Sequence, residues 1–97
     1  MNLDLHDCTI EQINYHWQSA SVKIGIWRYC PDRQKSVLNY LELSGVTELF
    51  IPHVSSWGPS NSINKVLFES GNCKIEVQSG DTITAKFIEV NFIESNS

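Results

Sequence analysis

His6 and Asp7 stand side by side near the N-terminus. An adjacent His–Asp pair is the core of one metal phosphohydrolase signature, in which further His and Asp side chains on helices complete the coordination. Here the other histidines, His16 and His53, fall within and just after stretches that read as strands, so no helix gathers them. No metal site is expected, and Asp7 or Thr9 is read as fastening a turn ahead of the first strand. Cysteine chemistry is the second option. Cys8, Cys30 and Cys73 would each need a cationic neighbour or a helix N-terminus to become thiolates. Cys30 sits near Arg28 and Arg33, but directly before Pro31 at a strand end, where no helix dipole acts. The chain has no Gly-rich phosphate loop, no GxSxG and no paired carboxylates. It is therefore expected to be non-catalytic, with no catalytic residues and no cofactor.

The third group is polar and uncharged for the most part. It comprises Trp57, Ser60, Asn61 and Asn64 of WGPSNSIN and Gln78, Ser79 and Asp81 of QSGD. One reading is structural. Trp57 packs against a sheet, Gly58-Pro59 makes the corner, and the Ser and Asn side chains satisfy loop backbone. QSGD is then a hairpin turn with glycine at positive φ. The other reading turns the same loops toward a protein partner, where a Trp beside a rigid polar rim is a hot spot.

The elements that must position these residues are strands. In EQINYHW, Ile13, Tyr15 and Trp17 share one face; after QSAS, Val22, Ile24 and Ile26 alternate with Lys23, Gly25 and Trp27. That pair reads as a hairpin. SVLNYLELSG and VTELFIPHV follow, the second ending or lying on an edge at Pro52, which cannot donate to a ladder. NKVLFES, CKIEVQS and TITAKFIEVNFIE complete the set, separated by turns at Gly71-Asn72 and Ser79-Gly80-Asp81. In the last stretch Ile83, Ala85 and Phe87 are in one phase and Ile88, Val90 and Phe92 in the other. A regular strand cannot switch faces, so a bulge or bend is expected near Phe87-Ile88. Ile63, Val66 and Leu67 fall at i, i+3 and i+4, which predicts one short helix near Asn61–Phe68, capped by Ser60 or Asn61. The fold class is all-β, or β-rich α+β. Six to eight antiparallel strands form a meander, as a sandwich or a partly open barrel.

Ninety-seven residues make a single domain, 1–97, with 41% apolar and 19% charged residues. No apolar run can span a bilayer, and MNLDLHDC has neither the basic nor the apolar region of a signal peptide. A cytoplasmic location is expected. Three widely spaced cysteines without a CxxC pair argue against a disulfide framework and predict reduced thiols. Eleven acidic against seven basic residues give a net charge of −4, with no basic stripe to neutralise phosphates. Direct nucleic-acid binding is not expected, whereas a basic protein partner suits the charge. Asp4, Asp7, Glu11, Glu42, Glu48 and Glu76 are the acidic candidates for meeting it.

LHDCTIEQI, LSGVTELFIP, WGPSNSIN and IEVQSGDTI occur in that order. Together they resemble a group of small bacterial proteins with HD-A-x-L, GV-x-x-L-x-(V/I)-P, WGPS-x-(S/V)-N and E-(M/V)-QSGD blocks. The resemblance runs from Leu5 to about Ala85 and departs from the pattern at Cys8, where a small residue is usual. Some of these proteins are classed as immunity proteins of polymorphic or contact-dependent toxin systems. The resemblance implies a cytoplasmic protein that binds and silences a cognate toxin domain, such as a basic nuclease. Asp7, Trp57, Ser60, Asn61, Asn64, Gln78 and Asp81 are its candidate partner-binding residues. The alternative is a small-molecule-binding or regulatory β-module, with a cavity lined by Trp17, Trp27 or Trp57 and a few polar groups.

Overall fold

Residues 3–95 are described in a computed structural model, and they hold eight strands and no helix. β1 (Thr9–His16), β2 (Ser21–Cys30) and β3 (Lys35–Ser44) run as an antiparallel meander. So do β5 (Ile63–Glu69), β6 (Asn72–Val77) and β7 (Thr82–Lys86). The two remaining strands are exchanged: β8 (Glu89–Glu94) pairs with β3, and β4 (Glu48–Phe50) pairs with β7. Two open four-stranded sheets result, β1-β2-β3-β8 and β4-β7-β6-β5. The all-β expectation holds.

Two-residue alternation builds the core between them. Val22, Ile24 and Ile26 of β2 and Leu41 and Leu43 of β3 are almost fully buried. Ile75 and Val77 of β6, and Ile83 and Ala85 of β7, join them in one cluster with Leu5, Ile63 and Val66. Each fully buried Leu or Ile contributes on the order of 1.5–3 kcal/mol of transfer free energy. The outer face of the second sheet is solvated instead. There Lys65 pairs with Glu76 at 3.6 Å and Lys86 with Glu48 at 2.8 Å.

The phase change in the last stretch marks where the chain leaves one sheet for the other. β7 ends at Lys86, Phe87-Ile88 makes the bend, and β8 begins at Glu89. Gly45–Thr47 makes the matching passage from β3 to β4. The two passages lie side by side: Ile88 N donates to the Ser44 carbonyl and Thr47 N to the Lys86 carbonyl, both at 2.9 Å. Gly45 sits at φ +65°, and a Cβ there would lie 2.7 Å from the Ile88 side chain. No residue with a side chain fits that crossing.

The helix expected near Asn61–Phe68 is a strand, β5. Its i, i+3 spacing has another cause: the register with β6 shifts between Ile63 and Lys65. Asn64 is the extra residue of a bulge, which resets the phase so that Ile63 and Val66 both face the core. Leu67 then points outward and is 40% exposed. β4 is shorter than VTELFIPHV suggests and ends at Phe50, two residues before Pro52. On the far side, β1 touches the segment ahead of β5 through a single bridge, Thr9 with Ser62. Beyond that bridge the free edges of β1 and β4 are unpaired, so the barrel stays open there. Among the described residues no helix is long and apolar enough to cross a membrane.

Candidate functional site

The His–Asp, WGPSNSIN and QSGD stretches come together beside the β1 edge. Leu5 is buried and anchors a four-residue turn closed by Cys8 N donating to the Leu5 carbonyl at 3.0 Å. Asp7 occupies its third position at φ +67°, a conformation that Asp tolerates better than most residues. Asp7 N donates to the Ile63 carbonyl at 2.8 Å, and Ile63 N to the Cys8 carbonyl at 2.7 Å. Gln78 Nε2 donates to Asp7 Oδ1 at 2.8 Å, joining residues 71 positions apart. His6 Nδ1 lies 2.8 Å from the Asn64 carbonyl and therefore donates to it, while Nε2 stands 3.5 Å from Asp7 Oδ2. The Asn61 amide closes the last gap. The Asn61 backbone carbonyl accepts from Ile10 N at 2.8 Å, and the side-chain Nδ2 donates to the Ile10 carbonyl at 3.0 Å. Asn61 thus stands in for a neighbouring strand.

A second knot fixes the loop before WGPS. Asp81 is only 7% exposed, and its carboxylate accepts from Val54 N at 2.8 Å, Ser55 N at 3.0 Å and Ser79 Oγ at 2.7 Å. These donors, the Val54 amide foremost, hold the Asp81 carboxyl below its ordinary range. Trp57 N donates to the Ser79 carbonyl at 2.9 Å, which ties the WGPS corner to the QSGD turn.

Trp57 does not pack against a sheet. It is 81% exposed, and one edge of its ring lies over Gly80, where an added Cβ would come within 3.2 Å of Cε3. The corner is held by its backbone, so the ring is carried outward rather than in. Val54 and Phe50 are also largely exposed, on the same backbone run. Sequence reading missed both. Their signal was an apolar run, Leu49-Phe50-Ile51, with Val54 following beyond Pro52.

The other expected site residues divide by role. Asp7, Asn61 and Gln78 are exposed and hydrogen-bonded across segments. Ser60 Oγ accepts from Ser62 N at 3.2 Å, a local contact. Asn64 contributes its carbonyl to His6 and sits at the bulge. Asp81 is hydrogen-bonded to Val54, Ser55 and Ser79 and also lines the cleft behind these loops. Asp7 does not cap its turn; its carboxylate reaches Gln78 instead. The acidic candidates are scattered: Glu42 pairs with Lys23 at 3.9 Å on one sheet, and Glu48 and Glu76 pair with lysines on the other.

Behind the loops, between the open edges of β1 and β4, runs a cleft of about 230 Å³. Ile10, Ile13, Ile51, Pro52, Val77 and Ile83 form its walls, and His53, Ser60, Asn61, Ser79 and Asp81 also line it. No tryptophan lines it. Trp17 lines a separate shallow pocket with Tyr15 and Leu49. All three cysteines are free. Burial raises the Cys8 thiol and pushes Cys73 up to about 12, so neither is an activated nucleophile. Among the described residues no three His, Cys, Asp or Glu side chains form a group that could hold a metal. No family model matches the chain, and neither a curated protein nor a solved structure matches it.

Proposed function

We propose that this chain is an immunity protein of a contact-dependent or polymorphic toxin system. It is a non-catalytic, cytoplasmic binder that neutralises a cognate toxin domain one to one. The observation that carries the reading is the mounting of Trp57. Trp57 is 81% exposed, yet its backbone and that of Val54 and Ser55 are tied to Ser79 and Asp81. An exposed aromatic on a fixed backbone loses little freedom on binding, which is what an interface anchor requires. Three of the four blocks that carry the family resemblance, LHDCTIEQI, WGPSNSIN and IEVQSGDTI, meet at this site, which also supports the reading. A net charge of −4 suits a basic toxin such as a nuclease and would speed encounter at low salt.

The test is co-expression with the toxin encoded by the adjoining gene. Growth should be rescued, and the two proteins should co-purify with nanomolar affinity, about −12 kcal/mol. Association should slow as salt rises, with dissociation changing less. A neighbouring product that neither binds nor is neutralised overturns the reading. The second reading, a small-molecule-binding β-module, is favoured by the apolar-walled cleft and would then come first. At about 230 Å³ that cleft is smaller than the usual ligand pocket of roughly 300–1,000 Å³.

A further inference from the structure

The cleft between β1 and β4 has a chemistry of its own. Its walls are largely aliphatic, and the buried residue Asp81 lines it together with His53, Ser60 and Asn61. The Asp81 carboxylate is met by two amides and one hydroxyl, and among the described residues it forms no ion pair with a lysine or arginine. His53, on the same cleft, also acts on it electrostatically. A carboxylate with no lysine or arginine paired to it still projects its field into the groove, so the groove favours a cation. The walls favour a hydrocarbon. A group that satisfies both has an aliphatic stem and a positively charged head.

We propose that this cleft receives one lysine side chain of the toxin, with its stem between Ile10, Ile13, Ile51 and Ile83 and its ammonium against Asp81. Lysine fits better than arginine for a geometric reason. A carboxylate offers about four lone-pair sites, and three at Asp81 are already taken: one on Oδ1, two on Oδ2. No free fork remains for a bidentate guanidinium, whereas a compact ammonium needs one site on Oδ1. Asn61 and Ser60, on the same cleft, carry acceptor oxygens for its other protons. The proposal rests on the immunity reading for the source of the lysine, but not for the recognition itself.

The probe is Nα-acetyl-lysine methylamide, titrated into the isotope-labelled full chain at about pH 8, above the ordinary histidine range, and followed by NMR. Nα-acetyl-norleucine methylamide, with the same stem and no charge, is the control. The lysine probe should shift the Ile10, Ile13, Ile51 and Ile83 methyls and the Val54 and Ser55 amides, and norleucine should not. Asp81→Asn should weaken the effect about tenfold, the size of a lost charge contact. Should that variant not fold, Ile51→Trp leaves Asp81 intact, fills the cleft mouth and should abolish the shifts. Equal shifts with norleucine, shifts elsewhere, or an unaltered response in Ile51→Trp would overturn the proposal. In the co-purified complex, one toxin lysine should resist amine acylation and lose that protection with Ile51→Trp. No protected lysine in an intact complex rules out the toxin as its source. Failure of the two proteins to co-purify counts against the immunity reading alone, because the titration uses no toxin.

Discussion

At Asp81 a single carboxylate holds the Val54–Ser55 backbone in place, and the pH dependence follows from its lowered pKa. A depressed carboxyl adds stability that is fully present above its ordinary value of 3.8 and is lost as pH falls through the folded value. Asp81→Asn should therefore be less stable than the parent at pH 7. Its urea midpoint should also fall less between pH 7 and about pH 3. An equal fall in both proteins would show that Asp81 does not titrate in its clamped form. Trp57→Ala should cost less than about 1 kcal/mol of stability, the surface range, yet weaken toxin binding by 2 kcal/mol or more, roughly 30-fold. A stability loss of about 3 kcal/mol would instead mean a buried ring. Gly58 and Gly80 are a matched pair for the ring's position. Both have positive φ, +102° and +99°, but only Gly80 has atoms within 4 Å of an added Cβ, chiefly those of Trp57. Gly80→Ala should be the more destabilising, and Trp57→Ala should remove most of that excess. The residue types at this site were legible in the sequence because corners and turns demand them. Which way the Trp57 ring turns was not, since backbone bonds to Ser79 and Asp81 decide it from outside the motif.

Strand-level expectations succeeded where alternation was unbroken and failed where one extra residue intervened. Val22, Ile24 and Ile26 could be assigned from period alone. Ile63 and Val66 mimic a helical spacing because Asn64 bulges, and over so short a stretch a one-residue phase shift reads the same as a helical i, i+3 step. The phase change at Phe87-Ile88 was visible, though its cause is a passage between sheets. That passage makes a sharp prediction. Gly45→Ala meets Ile88 Cβ at 2.8 Å as well as its outer carbons, on top of a positive φ that costs on the order of 1–2 kcal/mol. It should be among the most destabilising glycine substitutions in the chain. Ile88→Ala should relieve it only partly, since the Cβ stays. Full rescue in the double variant, read by thermal unfolding, would mean that the bend simply moves aside.

For the molecule as a whole, the pairings of the two exchanged strands, β3 with β8 and β4 with β7, link distant parts of the chain. Such non-local closure costs entropy before it returns contacts, so refolding should fall in the range of milliseconds to seconds. Stopped-flow tryptophan fluorescence would detect it, and microsecond refolding would contradict it. The all-β class was legible from the turns and from the shortage of helical period. The exchange of β4 and β8 was not, because local pattern carries no information on which sheet a strand joins.

That exchange has a consequence for how the chain can be divided. A cut in the 51–62 loop separates β1–β4 from β5–β8, and each piece then holds one strand whose only ladder partner in its final sheet lies on the other piece. Neither piece can complete its own sheet, so two such fragments should reconstitute by mutual complementation, and two intact chains could trade halves into a swapped dimer. Asp7 would come from one fragment and Gln78 from the other. Their hydrogen bond, and the platform around Trp57, would exist only after reassembly, which makes the site itself a reporter of correct closure.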